Sequence, residues 1–339
     1  MGRGFRWFID KAQISYHIIS RVSRGEFLID DEGKEYFMNL MFKLAKAYYV
    51  DITSFAIMSN HFHILLSNRK DEVERATKDE LFSKYKDAYG KNADPPEGSF
   101  IKKSFEIEYD EDGGVERLRQ RLGSVSRFIQ ELKQGFTKWY NHKNNCKGIL
   151  WGDRFKGIAI SKGDAELICS AYVDLNPVRA GIVKKPEDYR WSSIGLRVRN
   201  SGKAKKILNT IQIEKPEVTI IEDKETGKFK QKKIWKKEVV SFPVYRAFIY
   251  DSGKVKKEGS ANISEQAYEE SKSLIKTLGI SDKLSYRYRN ITEGLAFGSY
   301  KLIADFQERF NRKLIKPRKV IINEEDKEVF YSTRNLKPT

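Results

Sequence analysis

Two short runs with almost nothing between them constrain this chain more than any other feature. Residues 51–58, DITSFAIM, and 61–66, HFHILL, have the length and the β-branched and aromatic content of strands, and only Ser59-Asn60 separates them. A link that short joins only antiparallel neighbours. Upstream, residues 14–22, ISYHIISRV, read as another strand, and a polar turn follows at Arg24-Gly25. Apolar positions then recur at helical spacing over 31–49, at Tyr36, Phe37, Leu40, Met41, Leu44, Ala47 and Tyr48. This β-α-β-β opening predicts an α+β domain built on an antiparallel sheet.

Residues 69–116 are charged and interrupted by Pro95-Pro96 and Gly113-Gly114, which predicts a helical insertion with a helix near 72–89 and an irregular remainder. A long helix is predicted at about 117–141, with Leu118, Leu122, Val125, Phe128, Ile129, Leu132 and Phe136 on one side and Arg121, Arg127, Lys133 and Lys138 on the other. A further strand is expected at 155–160. A helix at 164–175 would start at Asp164 and end where Pro177 disfavours helical geometry at Asn176. Residues 199–239 are polar and lysine-rich and read as a linker with a hairpin around Gly227. From 240 to 339 apolar content returns, and a mainly helical region is expected, with helices near 264–278 and 299–312. The predicted organisation is a catalytic domain over 1–198, a linker over 199–239 and a C-terminal extension over 240–339.

Charge narrows the partners. Lysine and arginine number 64 against 47 acids, a formal net charge of +17, which favours a polyanion. Aromatic residues make up 12% of the chain, too many for a disordered basic tail and suitable as platforms for unstacked bases. No apolar run approaches the ~18 residues of a spanning helix. The start, Met1-Gly2-Arg3-Gly4-Phe5-Arg6, has no apolar signal core. The two cysteines, Cys146 and Cys169, lack metal spacing. A cytoplasmic, nucleoid-associated protein without a membrane partner is expected.

Three segments carry groups with chemistry. Of four histidines, two form His61-Phe62-His63. On a strand, residues two apart share a face, so both imidazoles would project together while Phe62 packs on the other side. Paired imidazoles on a rigid strand are half of a metal site, or else two half-exposed histidines on a sheet. Tyr172 and Asn176 are four apart and share a helix face. The tyrosine is open to a chemical or a core-packing reading, and the asparagine stands where helices end before proline. Trp151-Gly152-Asp153-Arg154-Phe155-Lys156 is either a phosphate or base contact or an ordered turn packing Trp151 and Phe155.

Together the segments resemble one family. A histidine pair, a basic helix with Lys-x-x-x-Thr, Trp-x-x-Arg-Phe and then Tyr-x-x-x-Asn-Pro-Val-x-x-Gly occur in the order found in HUH single-tyrosine transposases, especially the REP-associated tyrosine transposases and their insertion-sequence relatives. The resemblance covers about residues 10–195. Asn176-Pro177-Val178-Arg179-Ala180-Gly181 and Ser59-Asn60-His61-Phe62-His63 are its most specific pieces, and Trp191-Ser192-Ser193 also fits. The resemblance implies an RRM-like (ferredoxin-like) antiparallel sheet flanked by helices. It implies His61 and His63 as ligands for Mg²⁺ or Mn²⁺, Asn176 as the residue completing the metal site, and Tyr172 as the nucleophile forming a 5′-phosphotyrosine. Arg154 and Lys156 match basic positions expected to contact DNA, and Arg127, Lys133, Trp151 and Arg179 join them as candidate DNA contacts. The implied partner is single-stranded DNA with a hairpin, and the implied assembly is a homodimer.

Two other readings stay open. One is a replication or mobilisation initiator of the wider HUH group, and the other is a hairpin-DNA-binding protein without turnover. Tyr16 and Tyr140 are rival nucleophiles, set aside because the Asn-Pro-Val motif follows Tyr172. Beyond residue 199 an accessory DNA-binding domain competes with a packing domain that has a solvated basic face.

Overall fold

The computed structural model describes residues 14–89, 113–222, 229–254, 263, 268–269, 292, 294–309, 318–321 and 329–332. The expected opening is present: β1 (Ile14–Arg21), α1 (Asp31–Ala47), β2 (Val50–Ile57) and β3 (His61–Asn68). Asp30 caps α1 by accepting the Gly33 amide at 2.7 Å, which satisfies one of the unbonded donors of the first turn. The insertion begins with α2 (Lys70–Arg75) and α3 (Lys78–Tyr89). Where one helix was predicted over 117–141 there are two, α4 (Gly114–Leu122) and α5 (Val125–Lys143). The break has a local cause. Ser124 caps α5 by accepting the Arg127 amide at 3.3 Å, and a Cβ on Gly123 would sit 3.0 Å from a Val73 methyl of α2.

Strand β4 (Lys156–Ser161) completes an antiparallel set in the order β2-β3-β1-β4, the RRM-like arrangement. One face of this set is covered by α1 and α5. Phe37, Phe62, Phe128, Phe136 and Met41 are fully buried there. Across the other face lies α6 (Asp164–Asp174), followed by α7 (Asn176–Arg179) and α8 (Ser193–Arg199). Asp164 sits in the first turn of α6, with Gly163 at the cap. Asn176 and Pro177 open α7 instead of ending α6, and Pro177 fits there because the first turn needs no amide donor.

The expected break after residue 198 is not a break in the fold. Helix α9 (Ser201–Ile207) and a two-stranded sheet of β5 (Gln212–Glu222) and β6 (Phe229–Val239) fill the segment read as a linker. The turn expected near Gly227 lies outside the described residues. Helix α10 (Phe242–Lys254) then packs its Tyr245, Phe248 and Ile249 into the same cluster as α6. Strand β7 (Ala296–Gly298) pairs parallel with β4, and β8 (Arg318–Ile321) and β9 (Val329–Ser332) extend the sheet beyond it, with α11 (Tyr300–Arg309) between β7 and β8. The sheet is therefore seven-stranded and mixed, in the order β2-β3-β1-β4-β7-β9-β8. Gly298 has φ +147°, and a Cβ there would collide with Ser161, so glycine is required where the extension meets β4. The helix expected at 299–312 is present as α11. The one expected at 264–278 falls almost wholly outside the described residues. Among the described residues no helix is long and apolar enough to cross a membrane.

Candidate active site

The register of β1 and β3 builds the site. Arg21 pairs with His61, Ile19 with His63 and His17 with Leu65. Paired residues face the same side, so His17, Ile19 and Arg21 share the face of His61 and His63. Phe62 points the other way, fully buried against Phe37 and Trp151. Helix α6 lies over the histidine face and brings Tyr172 edge-on to two imidazoles. Its ring centroid is 5.7 Å from those of both His63 and His17. The His61 and His63 rings are 5.0 Å apart, and the His17 ring lies nearly parallel to that of His63, their centres 5.1 Å apart. The Arg179 guanidinium lies 5.3 Å from the Tyr172 ring centre, a cation held over an aromatic face.

Both strand histidines are held neutral. Burial brings His61 down to about 4, with the positive Arg21 opposite it adding to the effect. His63 is lowered well below the usual imidazole range, first by burial and then by His17, His61 and Arg21. A neutral imidazole carries one lone pair, the form that binds metals.

The tautomer of His61 follows from its partner. Its Nδ1 lies 2.5 Å from Asn60 Oδ1, while Asn60 Nδ2 donates to the Gly25 carbonyl at 3.2 Å. A carbonyl only accepts, so the amide nitrogen must face Gly25 and the oxygen must face His61. His61 Nδ1 therefore carries the proton and Nε2 carries the lone pair. His63 Nδ1 is in turn 2.9 Å from His17 Nε2. Engagement of the inner ring nitrogen by an outer partner, with the other left for the ion, is how metal-binding histidines are usually held. Asn176 donates Nδ2 to the carbonyls of Tyr172 and Val173 at 3.0 and 3.3 Å, so its oxygen is the atom left to serve as a ligand.

Two imidazoles and one amide oxygen are donor types that suit a divalent ion, and the fold sets the two imidazoles side by side, ring centres 5.0 Å apart. Among the described residues no group of three or more His, Cys, Asp or Glu side chains is arranged to hold a metal. Oxygens from phosphate or water would complete the shell, which suits Mg²⁺ and Mn²⁺.

Helix α6 is fixed to the rest of the fold at both ends by buried carboxylates. Near its start, Glu166 Oε1 accepts from Ser15 Oγ at 2.6 Å, Lys162 Nζ at 2.8 Å and Thr53 Oγ1 at 3.2 Å. At its end, Asp174 accepts from Ser193 Oγ at 2.6 Å, the Ile194 amide at 3.1 Å and Tyr245 Oη at 2.6 Å. Burial pushes the Asp174 carboxyl up, and these three donors oppose that rise. Tyr245 belongs to α10, so the extension contacts the tyrosine helix directly.

The candidate DNA contacts separate into groups. Lys156 lies at the edge of the histidine face, paired with Ile19, and its Nζ donates to the Thr292 carbonyl at 2.5 Å. Arg154 is exposed just before it. Arg179 sits over the tyrosine. Lys133 donates to the Asp153 carbonyl at 3.0 Å and steadies the 151–153 turn. Trp151 is only 7% exposed, donates Nε1 to the Lys133 carbonyl at 3.1 Å and packs against Phe37, Phe62 and Phe136. The packing alternative therefore describes Trp151, and its ring is not a stacking platform. Arg127 is exposed in the first turn of α5, which follows the Leu122 carbonyl bonded to Tyr49. That is the end of the sheet where β3 finishes, opposite the end where His61 begins it. The rival tyrosines do not reach the histidines: Tyr16 is buried on the opposite face and Tyr140 packs on Phe136.

Sequence reasoning passed over His17, Asn60 and Arg21. Strand alternation on 14–22 would have placed His17 and Arg21 on one face, but their pairing with β3 needed the register.

Residues 10–78 match the family model described as "Transposase IS200 like", a span that contains His17, His61 and His63 but not Tyr172. No curated protein matches. A solved structure described as "Structure of the REP associates tyrosine transposase bound to a REP hairpin" is similar over 59% of this chain and 87% of its own, at 16% identity and a TM-score of 0.37.

Proposed function

We propose that this chain, tied to the HUH-type single-tyrosine transposases by its IS200-like segment at residues 10–78, cleaves and rejoins single-stranded DNA beside hairpins with Tyr172 as the nucleophile. The observation that carries this reading is the Tyr172 ring set edge-on, 5.7 Å away, against His63 of the neutral histidine pair. In the reaction Tyr172 Oη forms a bond to the scissile phosphorus and gives up its proton. The bond from phosphorus to the 3′ oxygen breaks, and that oxygen leaves as a 3′-hydroxyl after taking a proton. The product is a 5′-phosphotyrosine, and attack by a 3′-hydroxyl reverses the step without an energy cofactor. Mg²⁺ or Mn²⁺ held by His61, His63 and the Asn176 oxygen would polarise the scissile phosphate as a Lewis acid. Arg179 places positive charge beside the attacking phenol. Arg21, Arg154 and Lys156 place it around the edge of the face, where a polyanionic strand would lie. Affinity from such contacts falls steeply with salt.

The test is a cleavage assay on labelled hairpin-bearing single strands taken from the flanks of the gene, with Mg²⁺ or Mn²⁺. Wild-type protein is expected to form a covalent adduct that requires metal. Tyr172→Phe should reduce it by roughly 10⁴-fold or more, the scale on which loss of a nucleophile is felt. An adduct that persists in Tyr172→Phe would move the nucleophile elsewhere. Tight binding without an adduct on any flank would favour a binding protein without turnover, and cleavage confined to origin-like sites would favour an initiator. The homodimer implied by the resemblance is checked by light scattering on the same preparation.

A further inference from the structure

We infer that His17 is the hydrogen-bond acceptor that holds His63 in the tautomer able to bind a metal. The inference rests on the metal-dependent reading above and extends it to a residue outside the ligand set. His17 is fully buried, His63 is 4% exposed, and their facing nitrogens, His17 Nε2 and His63 Nδ1, are 2.9 Å apart. Two neutral imidazoles in this contact share one proton between those nitrogens, so one ring donates and the other accepts. If His17 donates, His63 carries its own proton on Nε2 and has no lone pair to offer outward. If His17 accepts, His63 is protonated on Nδ1 and its Nε2 lone pair is available.

The neighbouring ligand already has the second arrangement. Asn60 can only accept from His61 Nδ1, because its amide nitrogen is bonded to the Gly25 carbonyl. With His17 as acceptor, both histidines of the pair carry their protons on Nδ1 and present Nε2. His17 is thus a positioning residue. It lies one strand away from the ligands, on β1, and acts on the ion only through His63. Its own Nε2 is taken up by that bond.

The test uses full-length protein without DNA. Mn²⁺ is titrated calorimetrically into wild type, His17→Leu and His17→Gln, and folding of each is checked by urea unfolding in EDTA. Leucine removes the acceptor and leaves the buried His63 Nδ1–H unbonded. Glutamine returns an acceptor oxygen near the position of Nε2. Loss of an outer partner of this kind weakens metal binding by roughly 10–100-fold. We expect that loss in His17→Leu and recovery to within a few-fold of wild type in His17→Gln. Equal affinity in wild type and His17→Leu would overturn the role of His17 and leave the metal reading standing. Equal loss in both folded variants would make His17 a ligand itself and overturn the positioning role. No Mn²⁺ binding by wild type would remove the metal reading and this inference with it. If His17→Leu does not fold, nitrogen-15 spectra of the imidazoles in metal-free wild type decide the question. A proton on His63 Nδ1 supports the inference, and a proton on Nε2 overturns it.

Discussion

The two faces of the central sheet are built from the same strands on opposite principles. Toward α1 and α5 the strands present Ile18, Phe62 and Ile64, which meet Phe37, Phe128 and Phe136 with no exposure at all. Toward α6 the strands present Ser15, His17, Thr53, His63 and Ser67, all buried and all polar, interleaved with Leu65, Ile158 and Ile160. The first face gains its stability from area removed from water and from close packing. The second gives up part of that gain for a network of buried polar groups, each of which costs free energy unless it is bonded. What it gains is definition. Hydrogen bonds have direction, so those of Glu166 and Asp174 fix where α6 lies in a way that apolar contact alone does not, and the His17–His63 contact orients the rings on the strands beneath it.

The largest effect is expected from Phe37→Ala. Truncating a fully buried phenylalanine should cost about 3–5 kcal/mol, read as a lower urea midpoint. Adduct formation measured well below that midpoint should be unchanged, because Phe37 lies on the face away from Tyr172. A loss of cleavage at full folding would show that the two faces are coupled.

A pH series sharpens the contrast. His61, at about 4 when folded, and His63, well below the usual range, both sit under the value near 6.5 of an unfolded chain. Between about pH 6.5 and 4 the unfolded state therefore binds more protons, so the metal-free protein should lose stability as pH falls through that window. The slope should flatten in His61→Gln/His63→Gln, while Phe37→Ala should shift the whole curve without changing its shape. A wild-type urea midpoint that is constant between pH 7.5 and 5 in EDTA would mean the imidazoles are not held neutral by burial.

The smallest effect is expected from Tyr245→Phe, which removes one donor from Asp174 without emptying any volume. Stability should fall by about 1.5–3 kcal/mol, the range for one hydrogen bond to a charged group. Single-turnover adduct formation should slow while hairpin affinity holds, because the extension reaches the tyrosine helix through this bond. Unchanged cleavage rates would reduce α10 to packing.

Much of the local geometry of the candidate site is legible in the sequence, because it depends on short-range periodicity. His61 and His63 had to share a face once 61–66 was a strand, and Phe62 had to oppose them. Tyr172 and Asn176 had to lie one turn apart once 164–175 was a helix. The Asn-Pro-Val motif distinguished Tyr172 from Tyr140, which stands on an equally helical segment. Periodicity also misled where two structures share one pattern. The apolar stripe runs on through Gly123 and Ser124, and nothing in it separates α4 from α5. Lysine-rich β6 looked like a linker because a two-stranded ribbon needs no apolar face as regular as a core strand.

By itself the sequence determined the β-α-β-β opening, the shared face of the histidine pair and the turn that separates Tyr172 from Asn176. All of these follow from the 2.0 and 3.6 residue periods of a local backbone. Only the tertiary structure decided that His17 meets His63 across 46 residues, that Tyr245 bonds Asp174 across 71, and that residues after 240 extend the sheet that carries the histidine pair. Those contacts depend on strand register and on the packing of α6 and α10, and neither is encoded in the spacing of any one segment.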